Sequence, residues 1–179
     1  DIKPGFNEHL KILKEVGVDL IILEAMTSKD RTVENIIECS KNVKLPIWLS
    51  ISCAINEDEN ILMHGYQESI TNSKAKFYDT LENSLSKFSK MHEGPILVAH
   101  SDIKVTGEAV KILKKVHKGI VGAYPNNGYF EKPHWKLIND ISPSKYLEEA
   151  KNWISNGAQI IGGCCGVGPD KISAISVLK

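Results

Sequence analysis

A chain of 179 residues with 42% hydrophobic content holds enough apolar side chain for one globular core. Its 22 basic and 22 acidic residues cancel, so no basic field exists to hold a phosphate backbone, and general nucleic-acid binding is excluded. Four cysteines are too few for a secreted disulfide framework, no run approaches the ~20 apolar residues of a membrane helix, and Asp1-Ile2-Lys3-Pro4-Gly5 carries no signal-peptide core. A reducing cytoplasm is the expected compartment, with no membrane partner. The absence of an initial methionine suggests a fragment boundary.

In chain order, a helical segment ends at Val16-Gly17 and feeds the first of five short apolar runs, residues 18–23. The others are 46–51, 95–99, 119–123 and 158–161, all rich in Ile, Val and Leu, as parallel strands covered on both faces are. Between them the apolar period becomes helical. Val33, Ile36 and Ile37 share a face within 32–43, and Val110, Leu113 and Val116 do so within 107–117. Residues 53–94 read as a long stretch without a strand, holding the acidic loop Asn56-Glu57-Asp58-Glu59-Asn60 and then a helix around 77–91.

Ser142-Pro143 opens a helix over 143–156 with a capping residue and a proline at its first position, and Gly168-Pro169-Asp170 opens the last helix in a similar way. Gly17 and Gly157 each close a helix before a strand. This is the grammar of five βα units in one domain. It permits a doubly wound five-stranded sheet or most of the second half of a (β/α)8 barrel.

Polar residues gather where each run stops: Glu24; Ser50, Ser52 and Cys53; His100, Ser101 and Asp102; Tyr124, Asn126 and Asn127; Cys164 and Cys165. In parallel α/β folds these carboxyl ends share one mouth, which is where ligands bind. Each residue also has a plainer reading. Glu24 suits a helix N-terminus, Asn126-Asn127-Gly128 suits a turn, and His100 suits a hydrogen-bonded core position. Cys39 reads as structural, and Cys53 is too isolated to assign.

The most specific feature is Gly162-Gly163-Cys164-Cys165-Gly166. Neighbouring side chains on a regular strand point to opposite faces, so two thiols cannot converge there. Flanking glycines allow the positive φ that turns both the same way, which favours a soft-metal thiolate site over packing or a strained vicinal pair.

Ile161-Gly162-Gly163-Cys164-Cys165-Gly166 followed by Pro169-Asp170-Lys171-Ile172 resembles the C-terminal signature of the homocysteine S-methyltransferases. Gly17-Val18-Asp19-Leu20 through Glu24-Ala25-Met26 is similar to that family's fourth strand, and Pro46-Ile47-Trp48-Leu49-Ser50 to its fifth. Tyr124-Pro125-Asn126-Asn127-Gly128, with Trp135 downstream, is similar to the loop after its seventh. The resemblance covers nearly the whole chain. It implies the C-terminal portion of a (β/α)8 TIM barrel, with residues 1–179 a partial domain lacking the first three strands and leaving open sheet edges and uncovered apolar surface.

It also implies a Zn2+ cofactor and transfer of a methyl group to the thiol of homocysteine, giving methionine. The donor would be a small molecule with a good leaving group: a sulfonium, a quaternary ammonium or a methylated folate. Glu24 would bind the substrate ammonium group, with Ser50, Tyr124 and Asn126 assisting. One departure stands out. Where the best-known members end the sixth strand in a zinc-ligating cysteine, this chain reads Ala99-His100-Ser101-Asp102. Imidazole binds zinc well and serine poorly, so His100 is expected to complete a set with Cys164 and Cys165, the rival readings being weak zinc binding, a different third ligand or loss of the metal. The alternatives are a non-catalytic or metal-binding barrel fragment and a thiol-redox protein using the vicinal cysteines.

Overall fold

The five apolar runs become five parallel strands of one sheet. The structure is a computed structural model and describes residues 2–27, 30–64, 76, 78–131, 136–138 and 140–178. The strands are β1 (Ile21–Leu23), β2 (Ile47–Ile51), β5 (Ile96–Asp102), β6 (Val121–Asn126) and β9 (Ile160–Ile161). They lie side by side in chain order, β1-β2-β5-β6-β9. A doubly wound sheet reverses its order at a switch point. This one does not reverse, so of the two architectures the sequence permits, the chain forms an arc of a (β/α)8 barrel.

The register runs Ile22↔Trp48, Ser50↔Leu97, Leu97↔Gly122 and Gly122↔Ile160, so these residues line one face together. Their neighbours Leu49, Ile51, Ile96, Val98, Val121 and Ala123 face the other way and are fully buried. The helices cover that outer face. They are α1 (Lys3–Glu15), α2 (Asp30–Ser40), α3 (Leu81–Met91), α4 (Ile103–Val116), α5 (Pro143–Ser155) and α6 (Pro169–Ile175).

Val33, Ile37, Leu85, Phe88, Leu113 and Trp153 fill the layer between helices and sheet. Burying each such side chain contributes about 1.5–3 kcal/mol. Trp153 meets Tyr146 edge-on, with centroids 5.4 Å apart at 83°. On the concave face Ile22 is 42% exposed, and Trp48 and Ile160 are half-buried. A shallow cavity of about 230 Å³ lies against them. The expectation of strands covered on both faces therefore holds for one face among the described residues.

Local signals set the helix starts. Thr80 accepts the N–H of Asn83, Asp102 that of Lys104, and Ser142 that of Lys145. Each satisfies a donor that the first helical turn leaves over. The stretch 53–94 departs from the sequence reading, because it contains an antiparallel hairpin of β3 (Cys53–Ile55) and β4 (Ile61–Met63). Its turn is the acidic loop, closed by Asn56 Oδ1, which accepts the N–H groups of Asp58 at 3.2 Å and Asn60 at 2.7 Å. A second hairpin pairs β7 (Tyr129–Glu131) with β8 (Lys136–Ile138). Three-residue strands show too little alternation to be recognised. Phe77 and Trp135 lie outside the described residues. Among the described residues, no helix is long and apolar enough to cross a membrane.

Candidate metal centre at the strand ends

The dithiol loop is laced to the end of β6. Gly162 N–H donates to Ala123 O at 2.9 Å, Cys164 N–H to Pro125 O at 2.9 Å, and Cys165 N–H to Asn126 Oδ1 at 3.1 Å. Asn127 N–H returns to Cys165 O at 2.8 Å. Two glycines permit this path for different reasons. Gly166 is left-handed at φ +73°, and a Cβ there would lie 2.0 Å from Asn127 O. Gly163 is needed for space, since a Cβ would lie 2.2 Å from Val167. The result is two side chains on one side of the loop, with Sγ atoms 3.9 Å apart.

His100 arrives from β5. Its φ of 49° is left-handed, and the β5–β6 register shifts between Ala99 and Asp102. This bulge brings Nδ1 to 3.9 Å from Cys164 Sγ, and one ligand atom each from His100, Cys164 and Cys165 lies within 4.8 Å of the others. Zinc bonds of ~2.3 Å to sulfur and ~2.05 Å to nitrogen, at tetrahedral angles, imply edges of about 3.8 and 3.6 Å. The two edges at Cys164, 3.9 Å each, match these values closely, and an inward turn of the His100 and Cys165 side chains would close the third and leave a fourth direction for another ligand.

The donor set also fits electrostatically. Burial pushes the Cys164 thiol up to about 11, and the Cys165 thiol and the Glu24 carboxylate push the same way. Converting Cys164 to a thiolate calls for a compensating cation, and coordination to one deprotonates a thiol outright.

Beside the thiols, Tyr124 OH donates to Glu24 Oε2 at 2.8 Å, and Ser50 Oγ lies 3.5 Å from Glu24 Oε1. Burial, reinforced by Glu24, raises the Tyr124 phenol above its ordinary range, so it stays a neutral donor. Glu24 itself is exposed at the mouth. Asn126 stands apart from this trio, buried and holding the Cys165 N–H.

Several residues brace the site in ways the sequence did not reveal. Asn127 is fully buried, donates through Nδ2 to Asp140 Oδ1 and to Gly166 O at 3.3 Å, and accepts the Ile141 N–H at 3.1 Å. Asp140 in turn pairs with Lys171 at 3.1 Å. Tyr146 OH donates to Gly162 O at 2.7 Å, fastening the loop to α5. The Asn-Asn-Gly composition reads as a turn, yet both asparagine side chains bind the loop that carries the thiols.

A barrel arc with a dithiol–imidazole cluster at its mouth defines an α/β protein suited to a thiophilic cation. A family model described as homocysteine S-methyltransferase matches residues 1–178, and the chain belongs to that family. It is 28% identical over 186 residues to homocysteine S-methyltransferase 3 of Zea mays, a match covering 97% of this chain and 48% of that protein. It is 23% identical over 184 residues to the selenocysteine methyltransferase of Astragalus bisulcatus, with the same coverage. The chain thus spans about half the length of the curated relatives it matches. Among solved structures, the metallated form of the homocysteine methyltransferase MmuM from Escherichia coli superposes with a TM-score of 0.68 at 16% identity, covering 99% of this chain and 52% of that one.

Proposed function

We propose that this chain supplies the homocysteine-activating side of a zinc-dependent methyl transfer that yields methionine. The carrying observation is the convergence of His100, Cys164 and Cys165 within 4.8 Å at the strand ends. Membership of the homocysteine S-methyltransferase family supports the substrate. The metallated state of MmuM supports a metal at this mouth. In this reading His100, Cys164 and Cys165 hold the ion.

Zinc, when bound, lowers the pKa of a coordinated substrate thiol so that it is a thiolate near pH 7. The remaining work falls to the chain. Glu24 receives the substrate ammonium group, with one carboxylate oxygen held by Tyr124 OH and the other turned toward Ser50. Asn126 keeps Cys165 in place through its N–H rather than touching substrate. The substrate sulfur attacks the methyl carbon, a sulfur–carbon bond forms, and the bond to the leaving sulfide, amine or reduced folate nitrogen breaks with its electron pair. The two protein thiols must stay reduced, as they do in a cytoplasm.

The test is zinc stoichiometry by elemental analysis in the full-length protein, alongside methyl transfer to homocysteine with a panel of donors. We expect about one zinc per chain, lost in His100→Ala, and a homocysteine KM raised at least about tenfold in Glu24→Gln. Unchanged stoichiometry in His100→Ala excludes the histidine as a ligand.

A further inference from the structure

We propose that Ser101 is the positioning residue that holds His100 in ligand geometry, an inference that rests on His100 being the third metal ligand. A left-handed residue inside a strand costs roughly 1–2 kcal/mol and persists only where its surroundings over-determine it. At φ 49°, His100 needs such support. Ser101 provides it. Its side chain is fully buried, and its hydroxyl donates to Ala99 O at 2.8 Å while accepting the Cys53 N–H at 2.9 Å. The first bond closes the chain across His100, from the residue after it to the residue before it. The second ties the bulge to the first residue of the β3–β4 hairpin.

On the far side, Asp102 caps α4 through the Lys104 N–H at 2.8 Å, and Thr106 Oγ1 donates to Asp102 O at 2.8 Å. The bulge is therefore fastened at both ends, with the imidazole between. Removing the hydroxyl leaves the Cys53 N–H without the acceptor it uses here and frees the main chain at residue 100 to take up an ordinary strand conformation. That would move the imidazole away from Cys164 while the dithiol loop, which is fastened to β6 and α5, stays where it is.

The experiment is Co2+ and Zn2+ titration of the full-length apoprotein, reading the thiolate-to-cobalt charge-transfer and ligand-field bands. The variants are Ser101→Ala, His100→Ala and the two combined, with urea midpoints measured alongside. We expect Ser101→Ala to weaken metal binding by about tenfold or more, the scale set by groups that orient metal ligands. Its ligand-field bands should move toward those of His100→Ala, with thiolate bands retained. The double variant should bind no more weakly than His100→Ala alone, the non-additivity expected of one coupled unit.

Wild-type affinity in Ser101→Ala beside a weak His100→Ala overturns the proposal and leaves the ligand reading intact. Equal weakening by Ser101→Ala with and without His100 also overturns it, since that is a general structural effect. Wild-type affinity in His100→Ala removes the ligand reading and this inference together. If Ser101→Ala does not fold, Ser101→Gly removes the hydroxyl, adds no metal-ligating atom, leaves room for a water at the Cys53 N–H and is read in the same cycle.

Discussion

At the foot of the sheet, before β5 and β6, His92 Nε2 donates to Pro95 O at 3.3 Å and His117 Nε2 to Gly94 O at 3.0 Å. At the mouth, His100 holds no main-chain carbonyl among the described residues, and its Nδ1 lies 3.9 Å from a thiol. The same side chain is used at one end to satisfy buried backbone and at the other to present a free nitrogen. Burial at the foot is nearly complete for both imidazoles, whereas His100 is half-buried in a strained conformation. Barrel folds divide their labour this way, with stability at the amino ends of the strands and chemistry at the carboxyl ends.

That division can be broken at either end. The largest effect is expected from Gly166→Ala at the mouth, where the new methyl meets Asn127 O and the backbone must leave its left-handed conformation. Urea denaturation should show a loss of about 3 kcal/mol, the upper range for overpacking. Metal uptake should disappear with it, because the loop can no longer turn both thiols together.

A smaller effect is expected at the foot. Burial lowers the pKa of His92, and the positive ends of His117 and Lys41 push the same way against the Pro95 carbonyl. Burial likewise lowers His117, helped by Lys114 and opposed by the Gly94 carbonyl. The unfolded imidazoles take up protons near pH ~6.5 and the folded ones only at lower pH. In that window the unfolded state binds more protons, so stability is full above about 6.5 and falls as the pH drops through the folded values. The urea midpoint should decline from pH 7.5 to 5.5, and His92→Gln combined with His117→Gln should flatten the decline.

The smallest effect sharpens the boundary between the ends. Asp102→Ala removes the α4 cap beside the site and should cost about 1 kcal/mol in thermal or urea melts.

Much of this arrangement was legible in the sequence, for a physical reason. Parallel strands bury long apolar runs, so residues 18–23, 46–51, 95–99, 119–123 and 158–161 announced themselves, and the polar residue after each marked the mouth. That placement set His100, Cys164 and Cys165 at one mouth, and the resemblance, with its cysteine at the end of the sixth strand, was what singled out His100 as their partner. The bulge that delivers the imidazole did not, because Ala99-His100-Ser101-Asp102 contains no glycine to announce a left-handed residue. The side-chain roles of Asn126 and Asn127 were hidden for a related reason. Their composition encodes a turn, and Gly128 does take φ +76°, but which side chains the turn buries depends on a loop that lies some 40 positions further along. Likewise, the strand order that separates a barrel arc from a doubly wound sheet is a tertiary fact with no local signature.

The dithiol loop has one further consequence. It is tied to β6 and to Tyr146 on α5, whereas the bulge that carries His100, although it too pairs with β6, is braced by the Ser101 hydroxyl against Cys53. The cluster therefore draws on two differently braced parts: a sulfur pair on one loop, and a third position at residue 100 on the bulge. A change at residue 100 alone would reset the hardness of the site, and with it the choice among thiophilic ions, while the rest of the fold keeps its form.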